Sequence, residues 1–345
     1  MTLPPRTTSL LAALESGRLS RAHVERFAWE LAARHRPISE GPAAGPSTLG
    51  YAEHVGSILK HVFLHEGRMV LERPGPVGGL AHESAGAASD VKGVMLELEA
   101  FGQSQLAHWF LVSWLLQSGA FDALEVLRAP ARGAALRTRE PFLVITHGVS
   151  GAGKTTLVGA LVGATGALAV SNDAESFRLR CAGAELEPGV IGAKLEAQAV
   201  RCVRAGWPVI VESCFLSRDD RGRFRAAARA LGAPFAIVAC TAPLSLISER
   251  LDRRRSFGSL FHGSDASADA VHRALEAQIA RTDALDESES SHAVMLDTAQ
   301  PLDVARVTAQ LDRILDAGAS ATHRQSEWAS VRGVDAAWRR GQDVG

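Results

Sequence analysis

The sequence predicts an α/β fold, a parallel sheet with helices on both faces, preceded by a smaller and mainly helical domain. Three observations predict it. A glycine-rich run, Gly148–Thr155, separates a β-branched stretch from a helical one. From residue 141 onward, short apolar runs alternate with helical stretches. Ahead of residue 130, helical periodicity dominates.

The front region comes first. Leu10, Leu11 and Leu14, then Val24, Phe27, Ala28 and Leu31 behind a capping Ser20, read as two amphipathic helices over 7–36. Residues 37–49 are a Pro/Gly/Ser loop, and 62–71 read as a hairpin turning at Glu66-Gly67. Residues 73–89 are Gly/Ala/Pro-rich and read as irregular; helices then run from Asp90 to about Leu127. A basic linker over 131–140 closes the domain 1–130.

In the rear domain, 141–317, strands are predicted at 142–146, 167–171, 208–212, 235–240 and 293–297. Helices are predicted at 154–163, 190–205, 219–231, 243–255, 267–284 and 301–316. Right-handed crossovers bring the strand C-termini to one edge, where chemistry should collect. The tail 318–345 lacks periodicity and reads as disordered, with Trp328 and Trp338 the residues able to dock.

Composition narrows the function classes. The 345 residues are 46% hydrophobic and 22% charged, with net charge −1, so there is no global attraction to nucleic acid or an anionic membrane. Cys181, Cys202, Cys214 and Cys240 form no C-x-x-C pair, which argues against zinc and fits a reduced, cytoplasmic setting. Cys240 ends an apolar run and reads as core. Leu10–Leu14 is too short for a signal-peptide core, and the apolar stretch Leu106–Leu116 is too short to span a bilayer.

Gly148-Val149-Ser150-Gly151-Ala152-Gly153-Lys154-Thr155 fits G-x-x-x-x-G-K-[ST], between the strand Phe142–Thr146 and a helix opening near Thr156. That context implies a P-loop. Main-chain N–H groups would cradle the phosphates of ATP, Lys154 would reach the β- and γ-phosphates, and Thr155 would ligate Mg²⁺. The lysines are few, Lys60, Lys92, Lys154 and Lys194, and one stands in this loop.

Three further features fall at predicted strand ends. Asp173 reads as the base accepting an acceptor hydroxyl proton, or as the N-cap of a segment starting at Ala174. Glu212 reads as a Mg²⁺ holder acting through water, or as a plain strand-end carboxylate. Arg250 and Arg254 share a helix face and read as lid arginines ahead of Ser256-Phe-Gly-Ser, or as a solvated basic face. Arg178 and Arg180 are weaker candidates for gripping an anionic acceptor. His147 reads as a strand end.

Residues 141–317 resemble the small P-loop kinases related to zeta toxins, gluconate kinases and the kinase half of polynucleotide kinases. The matching pieces are Gly148–Thr156, Ser171-Asn172-Asp173, Val209–Leu216, Glu249–Arg254 and Val294–Thr298. Most of the chain, the tail excepted, resembles bacterial two-part proteins in which an aminoglycoside-phosphotransferase-like domain precedes such an AAA-type ATP-binding domain. Leu14–Val24, Ala28–His35 and Asp90–Gly102 carry that likeness. The catalytic run of that front family would fall on His54–His61, with Gly56 at the aspartate position, His61 at the asparagine position and Arg73 near the later metal-binding aspartate. The resemblance therefore implies a front domain without phosphotransfer chemistry, a structural, regulatory or interaction module. Related kinases carry Asp where Glu212 stands.

Two function classes follow. One is an ATP-dependent kinase phosphorylating a hydroxyl of a small-molecule acceptor, the net charge disfavouring a nucleic-acid end. The other is a regulatory ATPase or switch without an acceptor. No N-K-x-D run supports a GTPase, and a protein that binds nucleotide without turnover is the blandest reading.

Overall fold

The computed structural model describes residues 8–34, 62–65, 68–71, 83–124, 127, 140–183, 189–256 and 268–318. The chain divides into two compact units, Met1–Arg137 and Thr138–Gly345.

In the front unit, β1 (Thr8–Ser9), β2 (Val62–His65) and β3 (Arg68–Leu71) form an antiparallel sheet in that order. His65 pairs with Arg68, the register expected of the predicted hairpin. Helices are α1 (Leu10–Glu15), α2 (Arg21–Arg34), α3 (Glu83–Ala100) and α4 (Ser104–Ser118). α4 buries nearly every apolar side chain and stops at Gly119, whose φ of 72° suits glycine. The Phe27 and Phe110 rings lie 5.3 Å apart where α2 meets α4, and the Arg21 guanidinium sits 3.3 Å over Trp109. Two expectations need correction. A short strand precedes α1, and α3 begins at Glu83 inside the stretch read as irregular. Ala85, Ala87 and Ala88 favour helix enough to outweigh Gly86. The positions that carry the front-family comparison, His54–His61 and Arg73, lie outside the described residues, as do the linker to 139 and the tail from 319. Among the described residues no helix is long and apolar enough to cross a membrane.

The rear unit is a five-stranded parallel sheet. In chain order its strands are β4 (Leu143–His147), β5 (Leu168–Ser171), β6 (Val209–Glu212), β7 (Phe235–Thr241) and β8 (Ala293–Asp297), within a residue of the predicted positions. Their spatial order is β5-β6-β4-β7-β8. Central β4 is wholly buried, as its apolar run requires. The step from β4 to β5 runs one way through α5 (Lys154–Thr165). Later steps run the other way through α6 (Asn172–Cys181) and α7 (Val190–Arg204), then α8 (Arg218–Ala230), then α9 (Leu244–Ser256), α10 (Ala268–Ala280) and α11 (Glu287–Ser290). Right-handed crossovers in opposite directions place helices on both faces. A last helix, α12, spans 304–318. The sheet order turns at β4, so the C-terminal ends of β4, β5 and β6 open a crevice together. Register sets Ser171 beside Glu212 there.

Candidate functional site

The loop between β4 and α5 takes its shape from three glycines in the left-handed region. At Gly148, φ is 136° and a Cβ would stand 2.4 Å from the Cys240 carbonyl oxygen. At Gly153, φ is 88° and a Cβ would meet the Thr298 side chain at 3.1 Å. Gly151, at φ 81°, is crowded by Ile247 and Leu251 of α9. The backbone thus runs hard against β7, α9 and the turn after β8. The N–H groups opening α5 have no intrahelical acceptor and bear the positive end of the helix dipole.

Lys154 is 8% exposed and curls back over its own loop. Its ammonium donates to the Gly148 carbonyl at 2.9 Å and to the Val149 carbonyl at 2.8 Å. The cation is held where incoming phosphates would meet it. Thr155 donates its hydroxyl hydrogen to the Glu212 carboxylate. Burial pushes the Glu212 carboxyl above the usual carboxylate range; the Thr155 hydrogen bond opposes that, and the neighbouring Asp173 charge adds to it. The longer arm of Glu212 therefore still reaches the threonine. A hydroxyl and a carboxylate meeting at one point form an oxygen donor set of the kind Mg²⁺ takes alongside phosphates and water. Among the described residues no three His, Cys, Asp or Glu side chains form an all-protein metal cage.

Asp173 lies in the first turn of α6, close enough for its charge to act on Glu212. The capping alternative needs correction. α6 begins at Asn172, and extended Ser171 is the N-cap residue, so Asp173 is already inside the helix. Asp173 thus stands two residues past the end of β5. Behind it, Glu175 is 4% exposed and accepts hydrogen bonds from Arg178 and, at 2.7 Å, from Gln198. Burial pulls Arg178 down to about 10, so it stays cationic at neutral pH. Its charge is answered by Glu175, while Arg180 is exposed.

Arg250 reaches from α9 to the loop. It donates to the Thr298 hydroxyl at 2.9 Å, the Thr298 carbonyl at 2.7 Å and the Gly151 carbonyl at 3.3 Å. The Thr298 hydroxyl oxygen lies 3.0 Å from the Ala152 carbonyl. A cavity of about 470 Å³ opens on this side, lined by Gly151, Gly153, Thr156, Arg254, Thr298 and Leu302 among others. Arg254 also lies close enough to Glu212 to favour its charged form. The Phe257-Gly-Ser259 end of the lid reading lies outside the described residues.

The sequence analysis assigns no role to several residues that shape this site. Thr298 wedges against Gly153. Gln278 of α10 accepts from the Ser150 N–H at 2.8 Å and donates to the Ser150 hydroxyl at 3.0 Å. Arg221, 1% exposed, pairs with Glu289 at 2.8 and 2.9 Å and donates to the carbonyls of Phe215 and Leu216. Phe215 has φ 44°, a strained value for a bulky residue. His147 ends β4 as expected, and its Nδ1 donates to the same Phe215 carbonyl at 3.0 Å. Burial holds the His147 imidazole below its ordinary range, hence neutral at physiological pH. Asp286 and Glu289 also form a capping box on α11, and the sequence spacing Asp286-x-x-Glu289 signals it.

Residues 143–285, from the start of β4 to just beyond α10, match a family model described as an AAA domain. Among solved structures, the chain is similar to a sugar kinase from Janibacter sp. HTCC2649, at 24% identity over 51% of this chain and 95% of that one, TM-score 0.38. It is similar to a gluconokinase from Sinorhizobium meliloti 1021, at 24% identity over 56% of this chain and 99% of that one, TM-score 0.35. It is also similar to Chaetomium thermophilum Kti12 in complex with ADP-AlF3, at 16% identity over 50% of this chain and 98% of that one, TM-score 0.43. No curated protein matches the chain. At such identities a likeness concerns the fold, and no substrate passes from it.

Proposed function

We propose that the rear unit is an ATP-dependent kinase that transfers a phosphoryl group to a hydroxyl of a small-molecule acceptor. The observation that carries this reading is convergence. Lys154, the Thr155–Glu212 pair and Asp173 meet at the C-terminal ends of three adjacent parallel strands, beside a loop that admits only glycine at its turning points.

The roles follow from chemistry. The loop of residues 148–156 (Gly148, Val149, Ser150, Gly151, Ala152, Gly153, Lys154, Thr155 and Thr156) cradles the phosphates, chiefly through the main-chain N–H groups that open α5, and Lys154 neutralises their charge. Thr155 and Glu212 would hold Mg²⁺, which shields the phosphate oxygens when bound. The acceptor oxygen bonds to the γ-phosphorus, the bond from that phosphorus to the bridging oxygen of ADP breaks, and ADP leaves with the bonding pair. The acceptor proton passes to the Asp173 carboxylate. Arg254, beside Glu212, and Arg250, on the loop, supply positive charge around the phosphates.

The front unit is proposed to have no transfer chemistry, because Gly56, His61 and Arg73 stand where the compared family needs carboxylates and an amide. Four unpaired thiols suit a reduced cytoplasmic setting.

The test is ATP consumption by the full chain with magnesium, with and without a pool of metabolites. Acceptor-stimulated turnover is expected. Lys154→Ala should lower it by about three orders of magnitude. Asp173→Asn should leave nucleotide binding intact and lose transfer; normal turnover by that variant removes Asp173 as the base. Steady ATP loss indifferent to every acceptor would replace the kinase by an ATPase switch.

A further inference from the structure

We propose that Gln278 is the residue by which the loop tells a bound triphosphate from a diphosphate, holding the Ser150 peptide at the place the terminal phosphoryl group reaches. This rests on the nucleotide reading above and adds to it a residue and a selectivity.

The cavity is lined by Gly151, Gly153, Thr155 and Thr156 of the loop and the start of α5, and by Thr298 and Leu302 after β8. Ser150, Gln278 and Cys214 are not among its lining residues. They lie toward the β4 end of the loop, where the Ser150 hydroxyl is 3.9 Å from the Cys214 sulfur and Gly148 N–H donates to the Cys214 carbonyl at 3.0 Å. A nucleotide with its base in the cavity and its inner phosphates on the amides opening α5 extends its third phosphate toward that end.

Gln278 is fixed in place from two directions. Leu275 and Val271, one and two turns earlier on the same face of α10, pack with Ile247 and Leu251 of α9 and with Val149 of the loop. Just after α10, Asp283 donates its N–H to the Leu216 carbonyl at 2.9 Å and accepts from the Arg218 N–H at 2.8 Å. The amide of Gln278 thus faces the N–H and the hydroxyl of Ser150 as a neutral group. Its Oε1 fixes the Ser150 peptide plane, and its Nε2 is a donor that a phosphoryl oxygen can take over from the Ser150 hydroxyl. A carboxylate in its place keeps the shape and the acceptor but sets a negative charge against the third phosphate alone.

The experiment is calorimetric titration of the full chain, with magnesium, by ADP and by the non-hydrolysable β,γ-imido analogue of ATP, for wild type, Gln278→Leu and Gln278→Glu. Thermal melts check that each variant is folded. Gln278→Glu should bind the triphosphate analogue at least about tenfold more weakly while ADP binding stays within about twofold. Gln278→Leu should show a smaller loss in the same direction. Equal losses for both nucleotides would make Gln278 a mere buttress of the loop and overturn the proposal; so would unchanged affinities. A wild-type chain that takes up neither nucleotide overturns the kinase reading itself, and this inference with it.

Discussion

On its cavity side the glycine loop is held by Arg250 and Thr298, through hydrogen bonds from half-buried side chains to the carbonyls of Gly151 and Ala152. On its β6 side it faces the turn 213–217, which hangs on a buried Arg221–Glu289 pair and on His147. The two walls serve the same loop by different physics. Water can replace a lost hydrogen bond on the cavity side, so damage there should loosen the nucleotide and little else. Removing one partner of the buried pair leaves a charge in a low-dielectric interior, so damage on the β6 side should reach the fold.

The largest expected effect tests the β6 wall. Glu289→Ala should lower the stability of the rear unit by about 3–5 kcal/mol, because Arg221 is left buried and unanswered. The readout is the denaturant midpoint of the transition that added nucleotide shifts. A loss below about 1 kcal/mol would erase the contrast between the walls. Next comes the cavity wall. Thr298→Val keeps the bulk against Gly153 and removes the hydroxyl, and should cost about 1 kcal/mol, or roughly fivefold in nucleotide affinity. Equal damage to stability and to binding would mean that this wall, too, belongs to the core.

The smallest effect is one of pH. Burial lowers the His147 pKa in the folded chain, so the unfolded chain binds the proton first as pH falls. The stability tied to neutral His147 is complete above the unfolded value of about 6.5 and is lost as pH falls from there toward the folded value. His147→Asn should flatten that part of the stability–pH curve relative to wild type, measured by melts on the acid side of neutrality. An unchanged slope would show that burial does not shift the His147 imidazole on folding.

Much of this site was legible in the linear chain because its parts are local. Strand, glycine run, Lys154 and Thr155 are contiguous, and each following strand announces its own end, so Asp173 and Glu212 could be found by counting to strand ends. Asp173 was misplaced only as a cap, since a helix start shifts by two residues without changing the pattern around it. The α3 start was hidden because alanine and glycine occur together in loops and in helices alike. The capping box at Asp286 and Glu289 was readable and marks α11.

Other members had no local signal. Gln278 meets Ser150 across 128 positions, and Thr298 meets Ala152 across 146. Arg221 and Glu289 are 68 apart, and each alone resembles a surface charge. Such pairs are chosen by the order of strands in the sheet, which brings the turns after β6 and β8 to either side of β4. The sequence alone determined an alternating α/β domain with a glycine-shaped loop between β4 and α5, because backbone conformation and apolar periodicity are written into neighbouring residues. The tertiary structure alone decided which distant side chains wall that loop, because burial and hydrogen bonding depend on what the fold places opposite, and no local spacing carries that information.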